Sequence, residues 1–143
     1  MVGEICTKPA ITVAMTATVE AAARIMRIRK VGALVVTNGP RPVGILTDRD
    51  ITVDVVGAGK RPAETKVAEV MRRNPVTLRE DQGLFEAAKV FGAKGVRRLP
   101  VTSKSGRLIG IVTLDDLMLL LGREMELVGT ALAHGMGRTR LAG

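Results

Sequence analysis

A chain of 143 residues, 46% of them hydrophobic, can bury one ordinary core, but only 1% are aromatic, with no Trp or Tyr. That core must be built from Val, Ile, Leu, Met and Ala, and the aromatic platforms on which single-stranded nucleic acid stacks are missing. The formal net charge of +8 and pI near 10.6 favour polyanionic company, such as nucleotide phosphates, nucleic acid or an acidic protein face, or else serve solubility alone. The single cysteine, Cys6, has no partner for an internal disulfide, and the single histidine, His134, is at no metal-site spacing from it. No apolar run approaches the roughly 18–20 residues of a membrane span, and the N-terminus lacks a signal-peptide layout. The expected location is the cytoplasm.

The stretch Val2 to Thr7 predicts a short helical or irregular lead-in, because the matching Lys66 to Arg73 puts Val67, Val70 and Met71 at helical spacing. Ile11-Thr12-Val13 then predicts a strand, as does Val76-Thr77-Leu78 in the second half. A helix follows from about Thr18 to Lys30, where Val19, Ala22, Ala23 and Met26 form one stripe opposite Glu20, Arg24 and Arg27. Leu84, Ala87, Ala88 and Phe91 repeat that stripe. Val31 to Thr37 is a nearly continuous aliphatic strand, reversed at Asn38-Gly39-Pro40 and returning as Pro42 to Thr47. The partner hairpin runs Val96 to Thr102, turns at Ser103 to Gly106, and returns as Arg107 to Thr113. Helices are expected at Arg49 to Val56 and Asp115 to Leu121, with a linker at Gly57 to Lys66. Beyond Gly122, Arg123 to Ala133 extends the last helix, and Gly135 to Gly143 has the composition of a frayed end.

The halves are copies. Thr12 matches Thr77 at an offset of 65 residues, and Leu34, Val36 and Thr37 match Leu99, Val101 and Thr102 without a gap. After one inserted residue, Gly44-Ile45-Leu46-Thr47-Asp48-Arg49-Asp50 matches Gly110-Ile111-Val112-Thr113-Leu114-Asp115-Asp116. The shared pattern is Gly, two aliphatics, Thr and, three places on, Asp. Such a repeat predicts two copies of one β-α-β-β-α unit sharing a core, an α+β fold. The expected units are residues 2–65, with lead-in 2–8 and linker 57–66, and residues 66–122, followed by an extension and tail at 123–143.

Thr-x-x-Asp at a strand-to-helix junction fits a capping box, in which the hydroxyl accepts from the N–H three residues on and the carboxylate reaches back to the threonine N–H. It also fits a ligand grip, because a carboxylate accepts both hydroxyls of a ribose and a hydroxyl beside free N–H groups holds phosphate. The pattern alone leaves both readings open. With Arg97-Arg98-Leu99-Pro100-Val101, the two motifs closely resemble the tandem CBS domain, or Bateman module, over residues 2–122.

That resemblance implies two units packed sheet to sheet about a pseudo-twofold axis, with two clefts for adenosyl ligands such as AMP, ADP, ATP or S-adenosylmethionine; NADH is a further candidate. It assigns the ribose to Asp50 and Asp116, the sugar or phosphate to Thr47 and Thr113, and the base to Thr12 and Thr77 with the backbone of Ile11 and Val76. Phosphate partners are expected among Arg49, Arg97 and Arg98, whose guanidinium suits phosphate. Because Gly32, Ala33 and Val35 stand where the second half has Arg97, Arg98 and Pro100, the clefts should be unequal.

The expected role is a regulatory, energy-sensing module that requires no cofactor, takes the nucleotide as its ligand, forms a homodimer through its helices and signals to a partner in trans. The alternative is a nucleic-acid-binding or adaptor protein using Arg24, Arg27, Arg29, Lys30, Arg72, Arg73, Lys94, Arg138 and Arg140. Catalysis finds no nucleophile paired with the histidine and no phosphate loop. Mg²⁺ held by Asp48, Asp50, Asp115 and Asp116 is a weaker reading than acids favouring a helix start.

Overall fold

The computed structural model describes the backbone of residues 1–142 and the side-chain environments of residues 1–136. Helix α1 spans Val2–Ile5, strand β1 Thr12–Ala14, α2 Val19–Arg29, β2 Ala33–Asn38 and β3 Arg41–Thr47. One turn of helix, α3 at Asp48–Asp50, widens into a π-helix over Ile51–Val56. The second half repeats the plan with α4 at Val67–Val70, β4 at Arg72–Arg73, β5 at Leu78–Arg79, α5 at Leu84–Lys94, β6 at Arg98–Thr102, β7 at Leu108–Thr113 and α6 at Leu114–Ala142.

Local chemistry explains the boundaries. Helix α2 opens where Thr18 Oγ1 accepts from the Ala21 N–H at 3.1 Å and closes at Lys30 in the left-handed region, φ 55°. The helix expected over Arg49–Val56 changes form because Thr52 Oγ1 donates back to the Asp48 carbonyl at 3.0 Å and three of the next four residues are valines, which crowd a tight turn. The Gly57 N–H consequently reaches back five residues to the Thr52 carbonyl at 2.8 Å. Of the expected stripe on α5, Ala87 and Phe91 are buried and Leu84 is half-buried, whereas Ala88 is exposed. Helix α6 continues through the glycine-rich stretch where a frayed end is expected; Gly143 lies outside the described residues.

The two sheets are assembled by exchange. In the first, the order is β1-β2-β3-β4, with β1 parallel to β2 and the other pairs antiparallel. Its last strand, β4, belongs to the second half. In the second sheet, of order β5-β6-β7, the outer position beside β7 is taken by Thr7, whose N–H donates to the Ile111 carbonyl at 2.8 Å. The cores follow the exchange. Val67, Val70 and Met71 pack with Val13, Val19, Leu34 and Leu46, while Val2 and Cys6 pack with Leu78, Phe91, Leu99 and Val112. Each lead-in therefore serves the other repeat's sheet, which ties the halves together at both ends.

This exchange explains the glycine that heads each motif. A Cβ on Gly44 would lie 2.9 Å from the Arg72 carbonyl, and one on Gly110 would lie 2.4 Å from the Thr7 carbonyl. Only glycine admits the crossing backbone so closely. Between the hairpins the Leu108 N–H donates to the Pro40 carbonyl at 2.8 Å. The cysteine is a small core residue, 9% exposed, and burial pushes its thiol pKa up. No helix among the described residues is long and apolar enough to cross a membrane.

Candidate functional site: two unequal clefts between the repeats

Both Thr-x-x-Asp turns close as capping boxes. Asp50 donates its N–H to Thr47 Oγ1 at 3.2 Å, and its Oδ2 accepts the Thr47 N–H at 2.9 Å. The second turn matches, with Asp116 N–H to Thr113 Oγ1 at 3.0 Å and Thr113 N–H to Asp116 Oδ2 at 3.1 Å. Each turn is pinned to the strand that begins beside it. The Asp48 N–H donates to the Gly32 carbonyl, and the Leu114 N–H to the Arg97 carbonyl, both at 2.9 Å.

The threonines open onto two related hollows. The first cleft, about 360 Å³, is walled by Ile45 and Thr47 from β3, and by Arg72 to Val76 and Gly95 to Pro100 from the second half. The second, about 260 Å³, is walled by Ile111 and Thr113 from β7, by Thr7, Pro9 and Ile11, and by Val31 to Ala33. Shifted by the repeat offset, the second set of walls falls on the first. Arg98 reaches both. A larger hollow of about 590 Å³, lined by Arg41, Arg73, Thr77 and Thr102 among others, lies at the hairpin ends and touches neither motif threonine.

The CBS domain family model matches residues 2–57 and 67–123, most of the chain. The chain belongs to the CBS-domain family. It is 39% identical over 118 residues to the protein MK0525 of Methanopyrus kandleri, covering 82% of this chain but only 60% of that relative's length. Among solved structures, the CBS domain pair of protein MJ0100, in complex with 5-methylthioadenosine and S-adenosyl-L-methionine, superimposes with a TM-score of 0.75 at 28% identity, covering 87% of this chain and 97% of that one. CBSX2 in complex with AMP gives a TM-score of 0.73 at 26% identity, with the same coverage of both chains.

In this CBS pair the expected residues divide unevenly between the clefts. Thr47, Val76, Arg97 and Arg98 wall the first, and Ile11, Thr113 and again Arg98 wall the second. Asp50 and Asp116 lie one step behind, beneath their threonines, and wall neither. Thr77 faces the large hairpin-end hollow, and Thr12 faces a separate hollow beside Ile28 and Arg29. Arg49 is exposed and walls neither cleft; its backbone N–H donates to Asp48 Oδ1 at 2.8 Å. Among the described residues no three acids, histidines or cysteines gather as a metal site.

Three differences between the copies give the clefts different chemistry. The first cleft gathers Arg72, Arg73, Arg97 and Arg98 with no carboxylate on its wall, whereas the second has Arg98 alone. Arg97 sits 3.6 Å from Asp115, but both side chains are more than 70% exposed, so water screens the pair.

The second difference is in the backbone. In the first half the Val35 N–H donates to the Ile11 carbonyl at 3.1 Å, but its counterpart Pro100 has no N–H, which leaves the Val76 carbonyl without that bond. An acceptor is thus presented at the wall of the first cleft and used up at the second.

The third concerns the acids. Arg72 Nε donates to Asp50 Oδ1 at 3.3 Å, while Thr7, at the matching position, has no cation to offer Asp116. Asp50 is 4% exposed and uses both oxygens; Asp116 is half-buried, and Oδ2 alone is bonded among the described residues. Sequence reasoning passes over Arg72 as a cleft residue. The signal that finds it is the mismatch of Arg72 with Thr7 in the aligned copies.

Proposed function

We propose that this CBS pair is a regulatory module whose first cleft binds an adenine nucleotide and reports its occupancy to a partner protein. The observation that carries the reading is that Arg97, Arg98, Thr47 and Val76 line one cleft, with Pro100 beside them lacking the N–H that its counterpart Val35 gives to Ile11. A cluster of guanidinium groups without a carboxylate suits phosphates. A backbone acceptor suits the exocyclic amine of adenine, and Val76, Val96 and Pro100 offer apolar faces to its ring. The ribose falls to Asp50, one step behind the wall, whose Oδ1 becomes available to a hydroxyl once Arg72, 70% exposed, moves to the phosphates, while Oδ2 stays on the Thr47 N–H. The related structures with AMP and with S-adenosyl-L-methionine support an adenosyl ligand.

Occupancy shifts the conformation only through a difference in affinity between two states. The Asp50–Arg72 contact is such a difference, since β4 joins the halves and loses that tie when ligand takes the carboxylate. Exposed Val53 at 52%, Val56 at 64% and Phe85 at 74% on the repeat helices support pairing of two copies through those helices. Against the nucleic-acid reading, no aromatic side chain on which a base could stack lines either cleft.

Isothermal titration with AMP, ADP, ATP and a short RNA, at low and high salt, tests the proposal. The expected result is one adenine nucleotide per chain with modest salt dependence. Asp50→Glu, which still closes the capping box, should weaken binding about tenfold, the ~1.4 kcal/mol of one displaced charge-assisted bond. Equal affinity in wild type and variant rejects the ribose role. RNA binding that collapses with salt, without nucleotide binding, rejects the reading altogether.

A further inference from the structure

Helix α6 runs on past the last residue it buries against the repeats, Leu117 at 3% exposed, and carries a continuous apolar stripe into solvent. Met118, Leu121, Met125, Val128, Leu132 and Met136 follow one another at intervals of three or four residues and are 62, 50, 72, 54, 63 and 59% exposed. At 3.6 residues per turn they share one face about a quarter-turn wide. Gly122 and Gly129 lie along its edge, and a Cβ at either would meet nothing within 4 Å. The fold gives no reason for glycine there. Arg123, Thr130 and His134 lie on the opposite face. A lone helix of this kind, with no packed face, has little to hold it.

We propose that this stripe is the seat of a second copy of the chain, docked antiparallel along the extension. Its order, Met-Leu-Met-Val-Leu-Met, reads nearly the same in both directions, so a twofold pairing, in which i meets j and j meets i, sets side chains of similar size against each other along its length. Aligned antiparallel, Met118 faces the partner's Met136, Leu121 the partner's Leu132, and Met125 the partner's Val128. In that one register Gly129 lies opposite the partner's Met125, so a long side chain meets a gap. The six side chains offer roughly 700 Å² per chain, about 1,400 Å² in the pair, within the ~1,200–2,000 Å² typical of specific interfaces. The interface lies beyond the repeats and does not depend on the nucleotide reading.

Sedimentation equilibrium of the full chain tests it. In a Phe85→Glu background, chosen to remove the pairing proposed through the repeat helices, Met125→Glu, at an exposed position, should halve the mass, and so should Gly129→Leu, although leucine strengthens a lone helix. Arg123→Glu on the opposite face should leave the mass unchanged. With Cys6 replaced by alanine, mixed Met125→Cys and Val128→Cys chains should cross-link to each other in preference to themselves. An unchanged mass in both stripe variants, or a wild type that stays monomeric at every concentration, overturns the proposal; cross-linking of Met125→Cys only to itself overturns the antiparallel register.

Discussion

Pro100 does at a single position what no side chain on the cleft wall does: by lacking an N–H it leaves the Val76 carbonyl without the bond that Val35 gives Ile11, and the proposal gives that carbonyl to the base. Substituting Val, the residue found at the matching position 35, restores the donor. Pro100→Val should therefore weaken AMP binding by about two- to tenfold, the range of one net hydrogen bond, without loss of thermal stability. Titration calorimetry beside a melting curve checks this; unaltered affinity removes the carbonyl from base recognition. Capping was legible at this scale, since Thr-x-x-Asp implies the geometry that both turns adopt. The mismatches of Pro100 with Val35 and of Arg97-Arg98 with Gly32-Ala33 were also legible, but not their cleft. That needed the strand register and the walls on which each residue falls. Arg72 was invisible as a partner of Asp50, 22 residues away, because only the crossing of β4 brings them together.

At the scale of elements, the paired lead-ins decide how the halves cohere. Periodicity identifies α1 and α4 as short amphipathic turns, yet it is silent on which sheet each joins, because Val2 and Val67 would fill either core equally well. The glycines heading the motifs held the clue, as close backbone approach is one of the few reasons for glycine inside a strand. Gly110→Ala, whose Cβ would meet the Thr7 carbonyl at 2.4 Å, should cost about 1–3 kcal/mol in urea unfolding. Gly92→Ala on α5, where a Cβ meets nothing within 4 Å, should instead add about 0.5–1 kcal/mol. If both changes prove neutral or alike in sign, close crossing is not what demands the glycine. The π-turn after α3 lay beyond periodicity for another reason: Ile51–Val56 is apolar enough for any helix, and the widening depends on a threonine bonding backwards.

For the molecule as a whole, duplication supplies two clefts and divergence gathers the arginines on one of them. The repeat, the hairpins and the shared core follow from the aligned halves, but the direction of asymmetry does not, since each cleft is built from both. Assembly answers it: the arginines of the second half stand over the threonine of the first. Backbone amide NMR during an AMP titration tests this most directly. Saturable shifts should centre on Thr47, Val76, Arg97 and Arg98, with Ile11 and Thr113 little moved. Shifts centred on Ile11 and Thr113 instead, or none at saturating AMP, would contradict a nucleotide site at the first cleft.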